Sequence, residues 1–152
     1  MAKLRAYREQ DFKELLVVDE ICFVPGIAYT EEELIHFLTQ PTAITLVSEK
    51  AGKIEGFVIA DRFRSRGGSR WMGHIVTLDV MPEARRHGLG ATLLTQAEKE
   101  LKVAGCDHVA LEVAEDNSPA IGFYKKHGYT VLKILPRYYL DSIDGLLMGK
   151  RL

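Results

Sequence analysis

The segment LDVMPEARRHGLG, residues 78–90, joins the end of a predicted β-strand to a basic loop and to two glycines that open a long helix. Glycine allows a ligand to approach the backbone closely. The free N–H groups of a first helical turn bind anions, because the positive end of the helix dipole lies behind them. Arg85, Arg86 and His87 add positive charge at the same place. The segment therefore predicts an anion site suited to a pyrophosphate; the alternative is an ordinary basic loop before a glycine-capped helix.

Composition and motif spacing exclude several classes of protein. The chain has 152 residues, of which 47% are hydrophobic and 27% charged, as expected for one globular domain over residues 1–152. The formal net charge of −1 argues against a general nucleic-acid binder. Cys22, Cys106 and the 5 histidines show no metal-ligand spacing. No apolar run or leader predicts a membrane span or export, so we expect a cytoplasmic protein without a metal.

Before the 78–90 segment, periodicity and turn signals predict strands that follow one another without helices between them. The turns at residues 51–52 and 67–68 contain glycine, so the strands that they join should be antiparallel. Asp19 interrupts the apolar face of the first helix, which Phe12, Leu15, Leu16 and Ile21 otherwise form. The predicted elements are strands over residues 3–8, 43–48, 54–64 and 71–80, and helices over residues 10–22 and 31–39.

After the segment, the order of elements changes to an alternation of helix and strand. Asn117 followed by Ser118-Pro119 is a strong helix start, with a capping side chain and an early proline. A strand–helix–strand order implies a right-handed parallel crossover, so the chain is predicted to be α/β with a mixed sheet. The predicted elements are helices over residues 88–104 and 118–127, and strands over residues 108–114, 129–135 and 143–152.

Residues 85–90, RRHGLG, resemble the acetyl-CoA signature (Q/R-x-x-G-x-G/A) of the GNAT N-acetyltransferase superfamily. A second stretch looks like a further conserved block of that superfamily: LEV at 111–113, then Asn117, the pair Phe123-Tyr124 and the pair Gly128-Tyr129. Its form is similar to the RimI and archaeal branch, which acetylates protein N-termini. The segment GHIV at 73–76 also resembles that branch, so the resemblance extends over nearly the whole chain.

The resemblance implies a GNAT fold and acetyl-CoA as the acetyl donor. That fold is a mixed, mostly antiparallel sheet of about seven strands with a central splayed parallel pair, here 74–80 and 108–114, and about four helices. The backbone of Leu78, Asp79 and Val80 would bind the pantetheine arm, and an N–H group near Val80 would polarise the thioester carbonyl. The pyrophosphate would be held by Arg85, Arg86, His87, Gly88, Leu89, Gly90 and Ala91.

Four further residues are candidates for chemistry, each with a structural alternative. Tyr124 matches the tyrosine that lies near the thioester sulfur in the family and can protonate the departing thiolate; on residues alone, a core aromatic is the favoured interpretation. Asn117 matches a cofactor-contacting asparagine, or is only a helix cap. Glu112, between two alanines on its strand, matches the general base of RimI-like proteins, or is a structural carboxylate. His74 matches a second base of some archaeal members, or is a core histidine.

The acceptor implied by the resemblance is the N-terminal α-amine of a protein or peptide, with a ribosomal protein as one candidate. An α-amine has a reference pKa of about 7.7–8.0 against about 10.4 for lysine, so neutralising lysine at pH 7 costs roughly 3 kcal/mol more. We expect direct attack in a ternary complex, by a monomer or weak homodimer. A small-molecule amine acetyltransferase and a non-catalytic acyl-CoA-binding protein are the alternatives. The candidate acceptor-binding residues are Phe23, Pro25, Ile27, Tyr29, Tyr138 and Tyr139, which could equally serve only to close their loops.

Overall fold

A seven-stranded sheet organises the chain in the computed structural model, which describes residues 2–152. Only β4 and β5 run parallel, and all other neighbours are antiparallel, which confirms the predicted mixed sheet. The strand order is β1-β2-β3-β4-β5-β7-β6. In chain order the elements are β1 (Lys3–Ala6), α1 (Phe12–Cys22), α2 (Glu31–Leu38), β2 (Ile44–Lys50), β3 (Lys53–Arg64), β4 (Trp71–Val80), α3 (Leu89–Val103), β5 (Cys106–Ala114), α4 (Ser118–Lys126), β6 (Thr130–Tyr139) and β7 (Ile143–Arg151).

Helices cover both faces of the sheet, and each face has its own apolar cluster. Leu93 and Leu101 of α3 pack with Ile75 and Leu111 of the sheet on one face, which we call the α3 face. On the other, the α1 face, Leu15 packs with Leu34, Phe57 and Ile59. Full burial of one such side chain stabilises the fold by about 1.5–3 kcal/mol. The two clusters fix which side of the sheet each strand residue faces.

The predicted apolar face of the first helix was wrong at one position. Ile21 is 49% exposed, whereas Leu15 and Val18 are buried. Asp19, which interrupts the apolar pattern, is fully buried at 0% exposure. The helix therefore turns a carboxylate toward the sheet.

The ends of β1 and β6 differ from the sequence prediction. β1 ends at Ala6 and not at residue 8. β6 continues to Tyr139, although the prediction ended it at residue 135. Its ladder with β7 is interrupted after Leu135, where Pro136 lacks an N–H group and Arg137 has a φ of +51°, and pairing resumes between Tyr139 and Ile143. The prediction treated this interruption as the end of the strand.

A β-bulge in β4 changes the direction of its side chains. Ile59 pairs with Thr77 and Ala60 with Ile75, so Val76 is an extra residue opposite β3. Ile75 contributes to the cluster on the α3 face, whereas Thr77 pairs with Ile59, which belongs to the cluster on the α1 face. Beyond the bulge, Leu78 and Val80 pack on the α3 face, and Asp79 is directed to the α1 face.

The central parallel strands separate just below this bulge. β4 and β5 are paired from Trp71 to His74, whose partner is Ala110, and no further. β5 remains paired with β7 along residues 108–114. A gap therefore opens between residues 76–80 of β4 and residues 111–114 of β5, and we call this gap the opening.

Candidate active site

The predicted anion cradle lies at the start of α3. Gly88 is the N-cap residue with a φ of +80°, a left-handed conformation that favours glycine, and Arg86 also has a positive φ of +66°. The N–H groups of residues 89–91 begin the helix and have no acceptor within it. Arg85 folds back, because its Nε donates a hydrogen bond of 2.8 Å to the carbonyl of Val80. The loop thus presents backbone donors and connects them to the end of β4.

Gly90 allows α4 to approach the start of α3. A Cβ at this position would lie 3.4 Å from the ring of Phe123 and 3.7 Å from Val80. α4 is capped by Asn117, whose side chain accepts a hydrogen bond of 3.2 Å from the N–H of Ala120. Asn117 therefore forms the predicted helix cap, and it follows β5, whose end borders the opening.

Tyr124 is held in the interior beside the cradle. It is 9% exposed and packs edge-on against Phe123 and Tyr129, with ring centroids 5.3 and 5.6 Å away. Burial, and after it the charge of Asp79, raises the pKa of the Tyr124 phenol above its ordinary value. The phenol therefore keeps its proton and can act as a donor.

His74 and Glu112 meet where β4 and β5 separate. The Nε2 atom of His74 lies 2.8 Å from Oε1 of Glu112. His74 is the last residue of the parallel ladder, and Glu112 stands two residues beyond its partner Ala110. Their side chains are 29% and 22% exposed, so the pair is accessible from the α1 face. The structure thus brings both candidate bases into one hydrogen-bonded pair.

Tyrosines surround this pair on the α1 face. Burial is the main cause that raises the pKa of Tyr29, Tyr138 and Tyr139, and the nearby charge of Glu112 contributes to each. Tyr138 and Tyr139 lie in β6. The prediction that they lie in a loop was wrong. The charge of Tyr124 contributes least among the causes that raise the pKa of Tyr139.

The hydroxyl of Tyr29 is committed to the backbone. It donates a hydrogen bond of 3.1 Å to the carbonyl of Val76, the bulge residue of β4. The N–H of Tyr29 donates to Oδ2 of Asp19 at 2.7 Å. Tyr29 therefore closes one wall of the site with its ring and fixes the end of the loop between α1 and α2.

The loop of residues 23–30, which we call the acceptor loop, contacts the β6–β7 turn. Gly26 has a φ of +91°, and a Cβ there would collide with the end of the Leu140 side chain. Phe23 and Ile27 are partly buried, and Pro25 is exposed. The acceptor loop therefore packs against the β6–β7 turn, and its end reaches β4 through Tyr29.

Two residues of α1 that the sequence analysis did not assign to the site lie against β4. Asp19 is buried beside Asp79, and its interruption of an apolar face was the signal for it. Cys22 donates through Sγ to the carbonyl of Val80 at 3.4 Å. Burial, followed by the charge of Asp79, raises the pKa of the Cys22 thiol to about 11. Cys22 is therefore a thiol at neutral pH and not a nucleophile.

Within residues 2–152, no group of three or more His, Cys, Asp or Glu side chains is arranged to hold a metal ion. Over the same range, no helix has both the length and the apolar character needed to cross a bilayer.

Comparison with known proteins gives consistent matches. The profile of the Acetyltransferase (GNAT) family matches residues 9–129. An N-alpha-acetyltransferase from Sulfurisphaera tokodaii is 32% identical over 158 residues, which cover 97% of this chain and 94% of that protein. The crystal structure of Ard1 from Thermoplasma volcanium superposes with a TM-score of 0.88 at 25% identity, covering 99% of this chain and 97% of that one. The ribosomal-protein-S18-alanine N-acetyltransferase from Escherichia coli has the same fold, with a TM-score of 0.86 at 21% identity and coverage of 99% and 94%.

Proposed function

Because the chain belongs to the Acetyltransferase (GNAT) family, we propose that it transfers an acetyl group to the N-terminal α-amine of a protein or peptide, by direct attack in a ternary complex. The chain is an acetyl-CoA-dependent N-acetyltransferase, and its relatives place it near the RimI and archaeal branch. A relative of 32% identity over nearly the whole chain is an N-alpha-acetyltransferase, which supports the α-amine as the acceptor.

The His74–Glu112 pair is the observation that carries this proposal. The pair lies where β4 and β5 separate, and 2.8 Å joins Nε2 of His74 to Oε1 of Glu112. Tyrosines lie on its α1-face side. The donor cradle at the start of α3 and the phenol of Tyr124 belong to the opposite face. Two reactants could therefore reach the same gap from opposite sides of the sheet, as direct transfer requires.

The residues around the opening fit acetyl-CoA. Beyond His74 the β4 backbone has no ladder partner on the β5 side, so that Leu78, Asp79 and Val80 have an edge that can bind the pantetheine arm. A backbone N–H near Val80 would polarise the thioester carbonyl. Acetyl-CoA supplies an activated acyl group, and we assign its pyrophosphate to the loop and first turn of α3, whose members are Arg85, Arg86, His87, Gly88, Leu89, Gly90 and Ala91.

Glu112 is the general base in this proposal, and His74 orients it. The charge of Glu112 helps to raise the pKa of Tyr29, Tyr138 and Tyr139, which supports a position of the carboxylate on the acceptor side. An α-amine with a reference pKa of about 7.7–8.0 is partly neutral at physiological pH, so a carboxylate, directly or through one water, suffices to take its proton. A lysine ε-amine would need a stronger base.

Tyr124 is the general acid that protonates the leaving sulfur. Its raised pKa keeps the phenol protonated while the thiolate forms. Asn117 caps α4 and so fixes the position of this helix, and with it Tyr124, relative to the opening. These roles leave acceptor selection to Phe23, Pro25, Ile27, Tyr29, Tyr138 and Tyr139.

A peptide library tests the proposal. The protein is incubated with acetyl-CoA and short peptides that differ at position one, and products are read by mass spectrometry with thiol release as a second signal. We expect acetylation at the α-amine, with a preference set by the first residue. Matched peptides with a blocked N-terminus and an internal lysine should remain unmodified.

Other amines and one variant pair complete the test. Turnover of amino acids or polyamines in preference to every peptide would overturn the peptide acceptor, and cofactor binding without thiol release from any amine would overturn catalysis. Glu112→Gln should lower kcat by roughly 10²–10⁴-fold, the usual contribution of a general base. Glu115→Gln, an exposed carboxylate just beyond the end of β5, is the control and should retain turnover.

A further inference from the structure

Two carboxyl groups without an assigned role are buried between α1 and β4. Asp19 is 0% exposed and Asp79 is 1% exposed. A buried carboxylate is costly unless hydrogen bonds or an opposite charge compensate for the lost water. Asp19 is, after burial, the main cause that raises the pKa of Asp79, so the two carboxyl groups are neighbours, and Asp79 belongs to the strand that borders the opening.

The outer oxygen of each carboxyl group already accepts a hydrogen bond. Oδ2 of Asp19 accepts the Tyr29 N–H at 2.7 Å. Oδ1 of Asp79 accepts the hydroxyl of Thr77 at 2.5 Å. The remaining oxygens, Oδ1 of Asp19 and Oδ2 of Asp79, are fully buried and receive no donor from any group of residues 2–152.

Two ionised carboxylates that are buried side by side repel each other strongly, whereas one proton between them makes a strong hydrogen bond. We propose that Asp19 and Asp79 share one proton, and that this carboxyl pair is a positioning device that holds the acceptor loop against β4. Its effect on acceptor binding rests on the function proposed above.

The connection between the acceptor loop and β4 has two points, and both pass through Tyr29. Its hydroxyl binds the Val76 carbonyl in the bulge, and its N–H binds Asp19. Asp79 is itself fixed, because its backbone is in register with Phe57 of β3. A proton between Asp19 and Asp79 therefore links the wall that contacts the acceptor to the strand that contacts the donor.

The charges around the pair are consistent with one retained proton. Burial, followed by the hydrogen bond to Asp19 and its charge, holds the pKa of Asp79 well above its usual range, while Thr77 and Arg85 act in the opposite direction. The charge of Asp79 also helps to raise the pKa of three other groups: Cys22 of α1, Tyr29 of the acceptor loop and Tyr124 of α4. Arg85 is the cation among these groups, so it offsets the single negative charge of a pair with one proton.

A double-mutant cycle with asparagine distinguishes a shared proton from other arrangements. In Asp19→Asn or Asp79→Asn, the new amide NH₂ replaces the shared proton, and its oxygen keeps the outer hydrogen bond. In the double variant, both outer oxygens are still required by Tyr29 and Thr77, so two NH₂ groups face each other and the bond is lost. A shared proton therefore predicts that each single asparagine variant keeps the link between the acceptor loop and β4, and that the double variant loses it.

Two readouts follow the pair. The first is hydrogen exchange at the Tyr29 amide, which needs no acceptor and so separates failure of this inference from failure of the proposed function. The second is the KM for the acceptor against the KM for acetyl-CoA. In the double variant, the acceptor KM should exceed the product of the two single effects by about tenfold, as expected when a buried polar group loses its partner. Exchange at Tyr29 should accelerate, and the KM for acetyl-CoA should change much less.

Asp107→Asn removes the same charge at the far end of the sheet and should affect neither readout. Additive effects of the two asparagines, or a double variant that performs as well as the singles, would show two independent carboxyl groups and overturn the proposal. Loss of Tyr29 protection in each single variant would also overturn it. Should the double variant fail to fold, Asp19→Ala is compared with Asp19→Asn: equal exchange and equal acceptor KM in these two would reject the shared proton.

Discussion

Replacing Tyr124 by phenylalanine removes one hydroxyl and keeps the ring that packs between Phe123 and Tyr129. Burial and the charge of Asp79 raise the pKa of this phenol, so the wild-type side chain is protonated throughout the working range of pH. If it protonates the leaving thiolate, its loss should lower kcat by roughly 10²–10⁴-fold, or about 2.7–5.4 kcal/mol in activation free energy. The free energy of unfolding should fall by no more than about 1.5 kcal/mol, the net value of one hydrogen bond.

The assay measures thiol release at saturating acetyl-CoA, together with acetyl-CoA binding and thermal unfolding. Tyr129→Phe is the matched control, because Tyr129 is a buried neighbour whose hydroxyl donates to Glu98 at 2.7 Å. That variant should lose about 2 kcal/mol of stability, roughly 4–8 °C in Tm, and keep its turnover. Unchanged kcat in Tyr124→Phe, with the cofactor bound, would refute the acid role.

Three further changes have defined outcomes. Gly26→Ala should raise the acceptor KM, because the new Cβ would collide with Leu140. Gly52→Ala is the control: Gly52 has a similar positive φ and no neighbour within 4 Å, so this variant should lose only about 1 kcal/mol of stability. Measurements of Tm and of the KM values for acceptor and acetyl-CoA distinguish the two variants. Gly88→Ala should raise the KM for acetyl-CoA by distorting the left-handed turn before α3, and an unchanged KM would argue against the cradle. Burial and Asp19 raise the pKa of Asp79, so the folded chain keeps a proton that the unfolded chain loses above about pH 4. The free energy of unfolding therefore falls as the pH rises from about 4 toward the raised pKa of Asp79. Asp79→Asn should therefore reduce the difference in Tm between pH 5 and pH 8, which calorimetry can measure.

Much of the fold follows from local patterns in the sequence. The helix cap at Asn117 is formed as its side chain predicts, and the glycine turns join antiparallel strands. The start of α3 at Leu89 follows from Gly88, which has the positive φ that only glycine adopts readily. These signals are short-range, so they can be read without knowing the tertiary structure.

The site was less predictable, because its geometry depends on pairs distant in sequence. The pattern on β5 singled out Glu112, yet its contact with His74 requires the parallel ladder to end at Ala110. Asp19 interrupts an apolar helix face, but only the tertiary structure shows that Asp79 faces it. Tyr138 and Tyr139 were assigned to a loop because the strand was predicted to end at residue 135, whereas β7 supplies partners on both sides of the interruption that follows.

The extra residue at Val76 changes which face of the sheet the later side chains of β4 point to, and the site depends on that change. A strand of uniform alternation would direct every second side chain to the same layer from end to end, so it could not present Ile75 and Leu78 to one helix layer and Asp79 to the other. Deletion of Val76 would move the side chains of residues 77–80 to the opposite face of the sheet and place Asp79 among the leucines of the α3 face. The number of residues in this strand is therefore constrained together with the identity of its functional side chains.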